Sequence, residues 1–227
     1  MAITFDSSDG DGADYLTNES PSLTAAPLTL ACWVKPNSIR DHDACITIGS
    51  SSANQLFALN LRASSQVTME VRDSSTYSAL ALSASDYSAS VWQHVAGVCT
   101  SSVSRQAFLD GVGGTVNTAS RTPSSVDRIR IGEWTSTWAR PFDGDIAECA
   151  IWNVALSAGE IAAMSNGLSP ILIRPESLVS YYPLVRDYID HVGGNTVSPN
   201  NTVVWANEHP ISVEAAPQTI RSTWGGI

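Results

Sequence analysis

The segment 132–141 has the composition of a loop that binds a ligand or a partner. It contains Trp134 and Trp138, followed closely by Arg140, between two apolar runs that are predicted to be strands. Tryptophan and arginine dominate the binding energy of many interfaces, so this loop suits a sugar face or a protein partner. The alternative is that both rings fold back onto the edge of a sheet. We expect one of the two tryptophans to be exposed.

Two pairs of carboxylates lie on or beside predicted strands, and their spacing argues against acid–base catalysis. Glu70 and Asp73 are three residues apart in the chain, and so are Asp145 and Glu148. Side chains alternate between the faces of a regular strand, so each pair is expected on opposite faces. Retaining glycosidases need two carboxyl groups about 5 Å apart on one substrate. The sequence also contains no nucleophile elbow, and we therefore expect no enzyme activity.

Charge and hydropathy exclude further classes of partner. The 227 residues carry a formal net charge of −10, with Lys35 as the only lysine. Nucleic-acid binding needs clustered basic residues, so no nucleic-acid partner is expected. No apolar run approaches the roughly 18 residues of a membrane span, and the first six residues do not form a secretory signal. We expect synthesis in the cytoplasm of the host cell and no membrane association.

Short apolar runs separated by turn signals predict an all-β sandwich or barrel. Asp110-Gly111 indicates a hairpin turn. Ser157 and Glu160 form a capping box that begins one short helix, which Asn166-Gly167 ends. The predicted strands are Leu28–Lys35, Asp43–Ile48, Gln55–Leu61, Val67–Arg72, Val91–Cys99, Gln106–Leu109, Arg128–Ile131 and Ile146–Trp152.

The four cysteines show no metal-binding spacing, and each lies in an apolar run: Cys32, Cys45, Cys99 and Cys149. Buried free thiols are the expected state for a chain made in a cytoplasm. A Cys32–Cys149 disulfide is the alternative.

The amino-acid composition of the chain changes near residue 168. Six prolines punctuate the segment 169–227, and proline is excluded from central strands. We therefore predict a sandwich domain over residues 1–168 and an extended C-terminal strap over residues 169–227. The strap is expected to pack partly on the sandwich or on a partner subunit and to run partly free.

Four stretches of the sequence, in this order, carry a family resemblance. They are Ile3-Thr-Phe-Asp6 with Ala13-Asp-Tyr-Leu16, the tryptophan-centred run 28–36, Trp92-Gln-His-Val-Ala96 with Ala107-Phe-Leu-Asp-Gly111, and the run 142–153 followed by 155–161. Together they resemble the laminin-G-like jelly rolls of the concanavalin A-like lectin/glucanase superfamily. The resemblance implies an all-β jelly-roll sandwich with one short helix. Ser180-Tyr-Tyr-Pro-Leu184 and His209-Pro210 in the strap resemble phage-encoded members more loosely.

The resemblance also implies two ligands, calcium and carbohydrate. Calcium takes six to eight oxygen ligands, which aspartate carboxylates can supply. The alternative is that the candidate aspartates belong to ordinary Asp/Gly turns. The family's closing strand commonly has an aspartate where this sequence has Ala147. Carbohydrate is expected at Trp134, Trp138 and Arg140. The candidate calcium ligands are Asp9, Asp11, Asp14, Asp143 and Asp145, with Asp6 and Asp110 as further candidates.

Two functions follow as hypotheses. The first is a non-enzymatic structural protein in the virion of a tailed phage, on the capsid or on a tail or fibre, contacting other virion proteins or further copies of itself. The low content of charged residues, 15% against roughly 25% in typical domains, favours a surface that meets a partner, although a compositional bias of the source organism explains it equally well. The second is a lectin-like module that binds cell-surface or matrix polysaccharide, with or without calcium.

Overall fold

Two antiparallel sheets form the fold of the protein in the computed structural model, which describes residues 1–7, 13–21, 23–74, 76, 78–135, 139–201 and 203–211. These residues form fifteen strands, one α-helix, α1 (Ala158–Ser165), and one short 3-10 helix (Pro170–Leu172). The strands are β1 (Ala2–Phe5), β2 (Tyr15–Asn18), β3 (Leu28–Pro36), β4 (Asp43–Gly49), β5 (Leu56–Leu61), β6 (Gln66–Arg72), β7 (Ser78–Asp86), β8 (Gln93–Ser101), β9 (Ser104–Leu109), β10 (Val112–Gly113), β11 (Arg128–Ile131), β12 (Gly144–Trp152), β13 (Leu178–Tyr182), β14 (Ser198–Asn200) and β15 (Val204–Ala206).

Strand order differs strongly from chain order. Sheet A has eight strands in the order β10-β9-β8-β3-β12-β1-β15, with β13 also paired to β12. Sheet B has seven strands in the order β14-β2-β11-β4-β5-β6-β7. The two sheets pack face to face as a sandwich, which confirms the predicted all-β class and jelly-roll type.

The core lies between the two sheets and follows the alternation of the strands. On β3, Leu28, Leu30, Cys32 and Val34 all belong to the main core cluster. Alternate residues of a strand point to opposite faces, so the intervening residues of β3 face outward. All eight predicted strands are present, with ends that differ by at most two residues. The four cysteines are buried free thiols, as predicted, and the alternative Cys32–Cys149 disulfide is not formed.

Helix α1 packs on the outer face of sheet A. Ser157 is its N-cap, and the reciprocal hydrogen bonds of the capping box are both present. Ile161 and Met164 are its buried residues, and they pack in the cluster that also contains Trp152. Within the described part of the chain no helix is long and apolar enough to cross a membrane.

The strap contributes strands to both sheets. β13 pairs with β12 and β15 pairs with β1 in sheet A, whereas β14 pairs with β2 at the edge of sheet B. Pro199 lies in β14, an edge strand, where proline is tolerated. Strands β13, β14 and β15 of the segment 169–227 are thus paired with strands of the sandwich, and residues 202 and 212–227 lie outside the described residues.

A β-bulge in β12 overturns one expectation from the sequence. Ile146 and Cys149 both face the core, so Ala147 and Glu148 lie between two inward positions. The register with β3 shifts between Ala147 and Ala150, and Glu148 has φ 55°. Such an inserted residue resets the alternation of a strand. Asp145 and Glu148 therefore both lie on the outer side of sheet A, not on opposite faces.

Candidate functional site

The loop that follows β11 folds back over the outer face of sheet B. Trp134, in this loop, packs with Ala44, Leu56 and Ala58 in a small cluster of its own. Two of these sheet residues are alanines, whose short side chains leave room for an indole ring. The Trp134 Nε1–H group donates a 2.8 Å hydrogen bond to Oδ1 of Asn60 on β5. The ring is thereby fixed between the loop and the sheet.

Cationic and aromatic groups surround this ring. The guanidinium carbons of Arg72 and Arg140 each lie 5.7 Å from the centre of the Trp134 ring. The His42 ring meets it edge-on at 5.6 Å. Burial and the neighbouring Arg62 lower the pKa of His42, so this imidazole is neutral near pH 7. Contacts between guanidinium groups and tryptophan faces add stability where the groups are partly desolvated.

Carboxylates neutralise most of the arginines on this face. Glu70 is 1% exposed, and its Oε1 accepts a 2.9 Å hydrogen bond from Arg72 Nη1. Asp41 Oδ1 lies 3.2 Å from Arg62 Nε. These pairs hold the guanidinium groups in fixed directions.

The same pattern continues toward β2. Glu133 Oε2 accepts a 2.7 Å hydrogen bond from Arg130 Nη1. The Arg130 guanidinium carbon lies 4.1 Å from the centre of the Tyr15 ring. Burial raises the pKa of Glu133, although Arg130 opposes this shift. We call the surface formed by Arg62, Arg72, Arg130 and Arg140 around Trp134 the arginine face.

Arg140 differs from the other three arginines of this face. No carboxylate of the described residues forms an ion pair with it, whereas Arg62, Arg72 and Arg130 each pair with one. A guanidinium group has five donors in a planar fork that fits a carboxylate or a pair of hydroxyl oxygens. The arginine face can therefore bind a polar or anionic group, and Arg140 is the side chain best placed to do so.

The structure places the three predicted ligand contacts differently. Trp134 is 1% exposed, so its ring cannot stack on a sugar as predicted, because the loop folds back and the alanines of sheet B admit the ring. Trp138 lies outside the described residues. Arg140 lies beside Trp134 on the arginine face, and its role as a ligand contact stays a prediction.

Three of the five predicted calcium ligands, Asp14, Asp143 and Asp145, lie within the described residues, where each has a polar partner in the chain. Asp14 Oδ2 accepts from the Asp6 backbone N–H, and Asp145 Oδ1 accepts from Thr4. The Oδ2 atom of Asp143 lies 3.3 Å from Arg40 Nη1. Asp9 and Asp11 lie outside the described residues, and Asp110 accepts from the His94 backbone N–H in its turn.

Arg40 supplies the positive charge near one end of the sandwich. Besides Asp143, its Nε atom lies 3.5 Å from Asp43 Oδ1, and its Nη1 donates to Ser7 Oγ at 2.5 Å. Burial raises the pKa of Asp43 to about 7. Among the described residues no three of His, Cys, Asp and Glu are grouped as ligands of a metal ion.

Several residues in and next to the arginine face were not predicted to belong to a site. Asn60, Glu70 and Arg72 lie on predicted strands at outward positions, and His42 precedes one. The outward alanines Ala44 and Ala58 were the available signal, because small residues on the solvent side of a sheet indicate that something packs there. His94 is buried on sheet A, its Nδ1 atom has no hydrogen bond, and its ring meets Trp33 at 5.5 Å.

Two antiparallel sheets in this strand order form a jelly-roll β-sandwich of the lectin-like fold. The family model of the laminin-G type in the concanavalin A-like lectin/glucanases superfamily matches residues 9–162, and the chain belongs to this family. No curated protein matches the sequence.

Solved structures share the fold at low sequence identity. A native heptameric SAP-like pentraxin from Limulus polyphemus has a TM-score of 0.64 and 12% identity over 89% of this chain and 92% of that chain. A putative carbohydrate binding protein from Bacteroides ovatus has a TM-score of 0.66 and 17% identity over 93% of this chain and 61% of that one. The Ruminococcus gnavus IT-sialidase CBM40, bound to α2,3-sialyllactose, has a TM-score of 0.57 and 19% identity over 73% and 95%. These similarities establish the fold.

Proposed function

We propose that this protein is a non-catalytic carbohydrate-binding module that binds an acidic saccharide on the arginine face. The observation that carries the proposal is Arg140, a guanidinium group fixed beside Trp134 without a carboxylate partner among the described residues. A sugar carboxylate would supply the missing charge, and neighbouring hydroxyls would meet Arg62 and Asp41. The similar CBM40 structure with bound sialyllactose supports an acidic sugar as the first ligand to test.

A non-catalytic role fits the state of the buried carboxylates on this face. Glu70 accepts from Arg72, and Glu133 accepts from Arg130, so each is held as the partner of a cation. A general acid for glycoside hydrolysis instead needs a carboxyl group that faces the glycosidic oxygen. We therefore expect no hydrolysis of a bound saccharide.

The test is a calorimetric titration of the protein with α2,3-sialyllactose, and with lactose as the neutral control. Wild type should bind the acidic sugar and not lactose. Arg140→Gln should weaken binding about tenfold or more, because hydrogen bonds to charged groups contribute about 1.5–3 kcal/mol. Arg174→Gln removes an exposed guanidinium beside helix α1 and should leave binding unchanged. Equal affinities of wild type and Arg140→Gln would reject this site, and no binding of either sugar would reject an acidic-saccharide ligand of this type.

A second candidate function is assembly, in the form of a virion structural protein of a tailed phage made in the host cytoplasm. The observation that favours it is a set of exposed apolar side chains in the strap, since large apolar groups at the surface are typical of contact sites. Light scattering should then give a defined oligomer, and a monomer at all concentrations would contradict self-assembly. The exposed apolar residues of the strap are Ile171, Leu172, Val185, Ile189, Val192 and Val204.

A further inference from the structure

The β-bulge in β12 places a carboxylate in an unusual position on sheet A. Glu148 is only 6% exposed and adopts φ 55°. A residue other than glycine rarely has a positive φ, and such strain is concentrated at functional sites. The bulge turns this side chain outward from the core and under the strap. A buried acid on a strained backbone calls for an explanation beyond packing.

The partners of Glu148 satisfy it incompletely. Tyr181 Oη donates a 2.5 Å hydrogen bond to Oε2. Burial and the nearby carboxylate raise the pKa of Tyr181, so this phenol remains a donor. On the other side, His209 Nε2 lies 3.1 Å from Oε1, but its orientation forms no hydrogen bond. Oε1 is therefore the less well satisfied oxygen.

A pocket of about 390 Å³ opens in front of this carboxylate. Its walls are largely apolar, and no lysine or arginine is among the residues that line it. An anion at the base of an apolar pocket is complementary to a cation on an apolar stem. The lining residues are Met1, Glu148, Ser169, Tyr181, Val185, His209 and Ile211.

We propose that this pocket binds the side chain of a lysine from a different protein, with the ammonium group on Glu148 Oε1 and the alkyl stem against Val185 and Ile211. An ammonium group has three donors and suits a single oxygen. This chain has one lysine, Lys35, which already donates to Glu208 Oε2 at 2.7 Å. Another copy of the chain is therefore a poor source of the ligand.

His209 acts as an internal competitor in this site. It lies on the strap and partly occupies the position opposite Oε1. A binding-competent state that is only partly populated lowers the apparent affinity in proportion to that population. Removal of the imidazole should therefore improve binding of the lysine.

The experiment is an NMR titration of the full chain with Nα-acetyl-lysine methylamide, with the norleucine analogue as the uncharged control. The lysine compound should shift the signals of β12 and β13, and the norleucine compound should not. Glu148→Gln should weaken binding about tenfold or more, whereas His209→Ala should strengthen it about two- to fivefold. Glu160→Gln changes a carboxylate on helix α1 that pairs with Arg174. This variant should bind the lysine compound with unchanged affinity.

Two results would overturn the proposal. One is equal affinity of wild type and Glu148→Gln for the lysine compound, with both proteins folded by circular dichroism. The other is binding of glucosamine at this pocket as tight as that of the lysine compound, which would show that the apolar stem is not recognised. Arg140→Gln should leave this titration unchanged, so failure here and failure of the saccharide site are distinguishable.

Discussion

The outer faces of the two sheets are covered in opposite ways. On sheet A, helix α1 and the strap bury an apolar cluster that includes Trp152, Ile161 and Leu178. On sheet B, one tryptophan of a single loop packs on two alanines and a leucine, beside Arg140 and the ion-paired Arg72. Apolar burial contributes about 25 cal/mol per Å², whereas a buried ion pair such as Glu70–Arg72 loses to desolvation much of what it gains by attraction. The cover of sheet A therefore mainly stabilises the fold, and the cover of sheet B mainly shapes a polar surface.

The sharpest test of this contrast replaces the tryptophan at the centre of each cover. Trp152 is fully buried, and its Nε1 donates to Ile173 O at 2.8 Å. Trp152→Ala should lower the free energy of unfolding by about 3–5 kcal/mol, with sialyllactose affinity unchanged in the folded protein. Trp134→Ala should destabilise to a similar or smaller extent and also abolish sialyllactose binding. Urea unfolding and calorimetry measure the two quantities.

The proposed difference between the two sheets is wrong if each tryptophan variant shows the effect expected of the other. Loss of sugar binding in Trp152→Ala, or its retention in Trp134→Ala, would contradict the assignment of function to sheet B. Trp→Phe at each position is the matched control, since it keeps one six-membered aromatic ring and removes the N–H donor together with the rest of the indole. Each Phe variant should be destabilised by about 1–3 kcal/mol, the cost of an unsatisfied buried acceptor.

The sheets and the helix could be predicted from local pattern, but the cover of sheet B could not. Alternation in β3 and the capping box at Ser157 are local signals, and both were confirmed. Strand β7 was not predicted, because its buried side is made of Ala79, Ala81 and Ser83, which are too small to give a hydrophobic pattern. The burial of Trp134 depends on which strands become neighbours, and this information is non-local.

A second comparison concerns two titratable groups that make the stability of the protein depend on pH in opposite directions. The first of these groups is His94 on sheet A. Burial lowers the pKa of His94 to about 3, while the unfolded chain titrates near 6.5. Below pH 6.5 the unfolded state binds the proton and the folded state does not, so stability falls as the pH is lowered. Between pH 6.5 and 4 the loss should be about 3 kcal/mol. His94→Gln should remove this dependence in urea titrations, whereas the exposed His191→Gln should retain it.

The second group, Asp43 at the start of β4, should act in the opposite direction. Its pKa is raised to about 7 in the folded protein, against 3.8 for an ordinary aspartate, because it is buried. The folded state therefore binds the proton more tightly, and stability from this group falls as the pH rises from about 4 to about 7. Asp43→Asn should stabilise the protein at pH 8 by up to about 4 kcal/mol. The exposed Asp86→Asn is the control, and an equal gain there would contradict the role of burial.

The Glu148 pocket illustrates a different limit of sequence-based prediction. Regular alternation placed Asp145 and Glu148 on opposite faces of β12, but one inserted residue moved Glu148 to the face of Asp145. No glycine or proline at the bulge itself predicts it from the sequence. His209, which meets Glu148, is 61 residues away in the sequence. Neither the strand alternation nor a local motif contains this contact.

The smallest predicted effect concerns the attachment of helix α1 and the strap, which cover the outer face of sheet A. Ser157 caps helix α1, and Glu160 joins the cap to the strap through Arg174 Nε at 2.5 Å. Ser157→Ala should lower the free energy of unfolding by about 1 kcal/mol, the usual contribution of an N-cap. Ser165→Ala, at the other end of the helix, removes only a bond to Ala162 O and should have less than half this effect. If the two variants are equal, tertiary packing and not the cap sets the stability of the helix, and the cover of sheet A then depends on the apolar cluster alone.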